Sequence, residues 1–198
     1  MLNGKGSRPL AGAVLAGGRS RRMGRDKALL TLGGVPLVRL LLERLRRHAD
    51  PVVIIAASAE SYGEFGVPVL GDLHPGCGPL GGIHTALRSL DARETFILPC
   101  DTPFVSDELI AYIAAFPTDA PARVARMDDR LHPLCGVYSP ACLPAIEEAL
   151  AAGRLVLREL LAAVGAATIP VTPDLPFYHG RLLANLNDPA ALSALDSA

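Results

Sequence analysis

The apolar run Gly12-Ala-Val-Leu-Ala16 breaks at once into Gly17-Gly18 and five basic side chains, ending at Asp26-Lys27. A short run of this kind reads as a buried strand, and the loop after it is Gly-rich and cationic. Such a junction is how α/β proteins hold phosphate. Glycines let main-chain N–H groups turn toward an anion, while Arg and Lys neutralise it. Without a ligand the loop suffers like-charge repulsion, so a polyanion is the economical reading. The alternative is a solvated basic turn.

The rest of the composition confines that charge to one place. Net charge over 198 residues is −1, aromatics make up 5% and Trp is absent. Stacking platforms for nucleic acid are therefore few, and a nucleic-acid-coating protein would carry a broader positive excess. The expected partner is a small anion. No apolar run reaches the roughly 18 residues needed to cross a bilayer. Residues 1–10 lack a signal-type apolar core and read as a frayed tail. Cys77, Cys100, Cys135 and Cys142 form no CxxC pair. They read as small core residues in a reducing cytoplasm, with zinc held by Cys135, Cys142 and His132 the weaker alternative.

Strand and helix patterns alternate along the chain. Ala28–Leu32 is short and apolar, and Gly33-Gly34 makes a turn. Pro36 suits the first turn of a helix whose apolar face is Leu37, Val38, Leu41, Leu42 and Leu45, opposed by Arg39, Glu43, Arg44, Arg46 and Arg47. Val52–Ala56 is a β-branched run of the doubly buried kind. Further strands are expected at Val67–Leu70, Thr95–Leu98, Ala122–Arg126, Leu134–Tyr138, Thr168–Val171 and Leu182–Leu186. Helices are expected from about Ile83 to Leu90, from a Ser106 cap to about Phe116, and over Pro140–Ala152, Leu155–Val164 and Pro189–Leu195. The pattern predicts one α/β domain over residues 1–198. Its architecture is Rossmann-like and three-layered, a mostly parallel sheet covered by helices on both faces. Ligands of such sheets bind at the carboxyl ends of the strands.

Several residues fall at those ends. Asp101 follows the strand Thr95–Leu98 in Pro99-Cys-Asp-Thr-Pro103. It reads either as a ligand of a hard divalent cation or as a turn cap. Asp72 follows a shorter strand and reads as a ribose, base or metal contact, or as an Asx turn. Gly76-Cys-Gly-Pro-Leu-Gly81 contains GxGxxG, but no strand feeds it directly, so a dinucleotide oxidoreductase is disfavoured. Its glycines, with Gly82, let backbone approach a base or ribose closely. Asn185 and Asn187 would face one side if their segment is extended, or else cap the helix near Pro189. Asp26 reads as a partner of an Arg in the basic loop. His132-Pro133 reads as a surface turn or a ligand contact.

These motifs together are similar to the nucleotidyltransferases with a LAGG-x-S-x-R-M-G-x-D-K opening, and within them to the molybdenum cofactor guanylyltransferase family. The pieces that carry the resemblance are Leu15–Lys27, Gly78–Gly82, Pro99–Pro103, His132-Pro133 and Asn185-x-Asn187. It implies a nucleotide-diphospho-sugar transferase-like fold. It also implies GTP contacts from Leu15, Ala16, Gly17, Gly18, Lys27, Asp72, Gly78, Gly82 and Asp101, with Mg²⁺ (Mn²⁺ the substitute) at Asp101. Asn185, Asn187 and His132 would lie toward molybdopterin. The partners implied are GTP and molybdopterin, with transient contacts to molybdoenzymes or molybdopterin-synthesis proteins. The family often carries Asn in its second strand, where this chain has Val52-Val-Ile-Ile-Ala-Ala57, so a purine contact there is missing or comes from backbone.

The expected reaction is metal-dependent transfer of GMP from GTP to the terminal phosphate of molybdopterin, releasing pyrophosphate. Arg19, Arg22 and Lys27 would neutralise the leaving group, and Asp101 would hold the metal. The alternatives are a related enzyme using CTP or another phosphorylated acceptor, and a non-catalytic nucleotide-binding domain.

Overall fold

The computed structural model describes residues 8–16, 27–57 and 60–186. Seven strands make one sheet: β1 (Arg8–Ala16), β4 (Val52–Ala56), β5 (Val69–Gly71), β6 (Ala92–Pro99), β7 (Ala122–Met127), β8 (Arg130–Tyr138) and β9 (Ala167–Val171). Their order is β5-β4-β1-β6-β8-β7-β9. β1, β4, β5 and β6 are mutually parallel, β8 runs against β6 and β7, and β9 is parallel to β7. Among the described strands of this sheet, β8 alone is reversed, so the expected mostly parallel α/β sheet is the one observed. A separate two-residue ladder, β2 (Thr31–Leu32) with β3 (Val35–Pro36), leads into the first helix.

Helices cover both faces. α1 (Leu37–Arg46) and α3 (Asp107–Ala115) lie on one side, and α2 (Gly78–Ser89), α4 (Leu143–Ala151) and α5 (Leu157–Ala163) on the other. The two-residue period of β1 divides its side chains between them. Val14 and Ala16 pack with α1 and α3, while Ala13 and Leu15 pack with α2 and α4. The α1 stripe Leu37, Val38, Leu41, Leu42 and Leu45 is buried as its spacing predicts, each side chain contributing about 2 kcal/mol. All five residues of β4 are buried, as befits a strand covered on both faces.

Several boundaries differ from the sequence pattern. β1 starts at Arg8, because its first residues pair with Ala92 and Glu94 of β6. The 28–32 run splits into a 3₁₀ turn, Lys27–Leu29, and the short strand β2. α2 begins at Gly78 rather than near Ile83. Leu182–Leu186 is a chain of turns, not a strand: Leu182 N–H donates to the His179 carbonyl and Ala184 N–H to that of Arg181. Strand alternation therefore does not set two Asn side chains on one side of that segment. The final helix expected over Pro189–Leu195 lies outside the described residues.

Beyond β6 the sheet relies on two features the pattern did not signal. Gly136 of β8 is crossed so closely by β7 that an added Cβ would stand 2.4 Å from the Arg123 carbonyl oxygen. Arg123, 4% exposed, grips both carboxylate oxygens of Glu94 and donates to the carbonyls of Ile113 and Ala114 at 2.8 and 2.7 Å. It thereby adds donors to the last turn of α3, where the Ile113 carbonyl also accepts the Phe116 N–H at 3.3 Å. Cys135 and Cys142 are buried and unpaired, and burial pushes their thiols up to about 12 and about 11.

Candidate active site

Strand register brings the candidate residues to one edge. Ala16 pairs with Ala56, Ala56 with Gly71, and Leu15 with Pro99, so β1, β4, β5 and β6 end level. Asp72 follows β5 and Asp101 follows β6. They are three strand spacings apart along the edge, about 14 Å. Between them β1 delivers the basic loop at Ala16. Gly17, Gly18, Arg19, Arg22 and Asp26 of that loop lie outside the described residues, as does Asn187. Lys27 opens the 3₁₀ turn, and the next residue, Ala28, is buried in the cluster that holds Val38 and Leu41.

One group of candidates forms around α2. The first turns of α2 pack so tightly that a Cβ on Gly82 would sit 3.1 Å from a methyl of Leu15. One on Gly81 would sit 2.8 Å from the His74 carbonyl oxygen and 3.1 Å from Asp72 Oδ1. The glycines are thus needed for close approach, and they bring Leu15, Gly82 and Asp72 together. Asp72 Oδ1 accepts the His74 N–H at 2.9 Å, so the Asx-turn alternative is realised. Thr85 lies 3.2 Å from the same oxygen, accepts the Leu73 N–H at 3.0 Å, and donates to the Gly81 carbonyl at 2.9 Å. Thr85 is buried, and no motif singles it out as a residue that holds Asp72. Its only sequence signal is its place four residues after Gly81 on the helix. Gly78, at the first position of α2, has φ +63°, a conformation that favours glycine there.

The second group surrounds Asp101. Cys100 N–H donates to the Leu15 carbonyl at 3.1 Å, which extends the β1–β6 ladder to the residue before Asp101. Thr102, 5% exposed, donates to the Pro99 carbonyl at 3.2 Å. Leu186 N–H donates to the Asp101 carbonyl at 2.9 Å, which places Asn185 beside this turn. Arg181, in the same run of turns, lies over the Phe104 ring at 5.3 Å. Because β8 is reversed, its first half also points to this edge, and His132 lies there, paired with Ala125. Burial, aided by Arg130 and opposed by Asp128, pushes the His132 imidazole down to about 4, so it is neutral near pH 7.

No group of three His, Cys, Asp or Glu among the described residues is arranged to hold a metal ion. A lone carboxylate at a strand end does not make a closed cage. It does fit Mg²⁺, which keeps several waters and takes other ligands from substrate phosphates. No helix among the described residues is long and apolar enough to cross a membrane.

Comparison with known proteins shows the family and the fold. The sequence pattern of the MobA-like NTP transferase domain matches residues 12–168. A Pelotomaculum thermopropionicum protein named "Probable molybdenum cofactor guanylyltransferase" is 40% identical over 143 residues, 72% of this chain and 70% of its own. A Mycobacterium tuberculosis protein of the same name is 37% identical over 193 residues, covering 94% and 92%. The crystal structure of molybdopterin-guanine dinucleotide biosynthesis protein A from Archaeoglobus fulgidus superposes with a TM-score of 0.77 at 25% identity. That match covers 94% of this chain and 97% of the other.

Proposed function

The chain belongs to the MobA-like NTP transferase family and is a nucleotidyltransferase, and from that premise we propose that it transfers GMP from GTP to the terminal phosphate of molybdopterin, releasing pyrophosphate. The observation that carries the reading is the shared edge. Leu15, Gly82 and Asp72 gather on one side of β1 and Asp101 with Asn185 on the other, as two substrates meeting over β1 require.

On this reading the α2 side takes the nucleoside. Leu15 and Ala16 offer main chain and Gly78 and Gly82 allow close approach, while Asp72 contacts base or ribose. The loop residues Gly17, Gly18, Arg19, Arg22 and Lys27 cradle and neutralise the triphosphate. Asp101 would hold Mg²⁺, or Mn²⁺ in its place, and the ion supplies charge neutralisation at phosphate oxygens. A phosphate monoester has its second pKa near 6, so the attacking oxygen needs no catalytic base. The chain's task is to position two mutually repelling anions. Asn185, Asn187 and the neutral His132 contact the acceptor by hydrogen bonding, without adding charge.

β4 bears on base choice. Its residues Val52–Ala56 are all buried and apolar, so no side chain there reads a purine, and guanine recognition falls to backbone and Asp72. The deciding experiment is pyrophosphate release from each of the four nucleoside triphosphates with molybdopterin present. Release from GTP above the others is expected. Release from CTP instead overturns the guanine assignment, and release with no requirement for molybdopterin overturns the acceptor.

A further inference from the structure

α1 carries more arginine than a solvated helix face requires, and its arginines grip two loops. On one flank, Arg46 donates to the Gly66 carbonyl at 2.6 Å and Arg39 lies over the Phe65 ring at 5.2 Å. Both partners belong to the turn that follows β4. On the other flank, Arg44 donates to the carbonyls of Pro103, at 2.7 Å, and Val105. One turn further on, Arg47 and His48 meet the carboxylate of Asp107. The segment between Asp101 and α3 is thus fastened to α1 at Pro103, Val105 and Asp107.

Arg44 is the informative member. It is half-buried, and desolvation lowers its pKa, which the neighbouring Asp107 charge partly offsets. Both bonds come from one nitrogen, Nη1, at the end of a rigid planar group that reaches one bond further than a lysine ammonium. The carbonyls it takes lie two and four residues after Asp101. Thr102 and the Leu186 N–H restrain the same turn from the sheet side and from the 179–186 turns.

We propose that Arg44 is a positioning residue for the reaction: by holding the Pro103 and Val105 carbonyls it fixes the turn that aims the Asp101 carboxylate. This rests on the reading of Asp101 as the metal ligand. Arg44 acts on the turn through the main-chain carbonyls of Pro103 and Val105.

The test compares Arg44→Met, Arg44→Lys and, as a matched loss of charge on the same helix, Arg46→Met. Each is assayed for GTP turnover with molybdopterin and for amide exchange of the peptide covering residues 99–106. For Arg44→Met, kcat is expected to fall about 10- to 100-fold while KM for GTP stays within about threefold. Exchange over 99–106 should rise about tenfold or more, since fewer restraints mean easier local opening. Arg44→Lys should fall between wild type and Arg44→Met on both measures. Arg46→Met should raise exchange near residues 60–66 and leave 99–106 unchanged.

Wild-type kcat in Arg44→Met overturns the proposal, whether or not exchange changes. Should Arg44→Met fail to fold, Arg44→Lys decides: unchanged kcat and unchanged exchange would overturn it. If the wild-type chain releases no pyrophosphate from any triphosphate, the reading of Asp101 fails. The exchange comparison then decides separately whether Arg44 holds the turn.

Discussion

The Leu186 N–H donates to the Asp101 carbonyl at 2.9 Å, so the turn after β6 is tied to the Asn185 segment by main chain alone. The Asp101 carboxylate is not one of the two groups in that bond, so an Asp101→Asn variant retains it.

Asp101→Asn should therefore keep the fold and lose the reaction. We expect a melting temperature within a few degrees of wild type, GTP affinity within about threefold, and kcat reduced about 10²- to 10³-fold. Pyrophosphate release and GTP titration check this, and a wild-type rate would remove Asp101 from the mechanism.

The glycines at the start of α2 predict a contrast. In Gly81→Ala the new methyl meets the main-chain oxygen of His74 at 2.8 Å, which cannot yield without moving the Asp72 turn. In Gly82→Ala it meets the mobile end of Leu15 at 3.1 Å. Denaturant unfolding should show a loss of about 2–3 kcal/mol for the first and less than about 1 kcal/mol for the second. Gly81→Ala, by moving the Asp72 turn, should also raise KM for GTP several-fold.

Glu94→Ala strands the Arg123 guanidinium in the interior. Glu94 is itself partly exposed, so solvent softens the loss, and we expect about 2–3 kcal/mol of destabilisation by chemical unfolding. If the stability were unchanged, the ion pair would contribute nothing beyond its bonds to the α3 carbonyls.

His132 makes stability depend on pH in one direction. Its folded value near 4 lies below the ordinary value near 6.5, so the unfolded chain binds the proton more readily. The contribution is complete above about pH 6.5, falls as pH drops through the window, and is gone below about 4. Allowing for its partial exposure, the swing is about 1–2 kcal/mol. Stability measured from pH 4 to 7 should rise less steeply in His132→Gln than in wild type, and identical slopes would refute the assignment.

Much of the frame could be read from spacing. The α1 stripe, the doubly buried β4 and the Ser106 cap, whose hydroxyl accepts the Leu109 N–H at 3.2 Å, are local patterns with local causes. The misreadings have tertiary causes. Three glycines in the first five residues of α2 argue against a helix by propensity, yet Gly81 and Gly82 are where Asp72, His74 and Leu15 leave no room for a side chain. Leu182–Leu186 is apolar enough to read as a strand, but its backbone turns and its Leu186 N–H meets the Asp101 carbonyl. Arg44 and Arg46 look like a wet helix face because a sequence does not show which carbonyls stand opposite. The edge position of Asp72 and Asp101 was legible, since each directly follows an apolar run. Thr85 and Arg123 were not, since each does its work on residues distant in sequence.

The reversed strand has a further consequence. β7 ends and β8 begins across Asp128 and Asp129, both at positive φ, so the hairpin tip stands at the carboxyl edge of the sheet. A hairpin can gain or shed residues in pairs while its inner rungs keep their register. If the proposed placement of the substrates holds, such changes would reshape the wall of the mouth on the acceptor side, and with it the range of acceptors admitted, while β1, β4, β5 and β6 kept the nucleotide side unchanged.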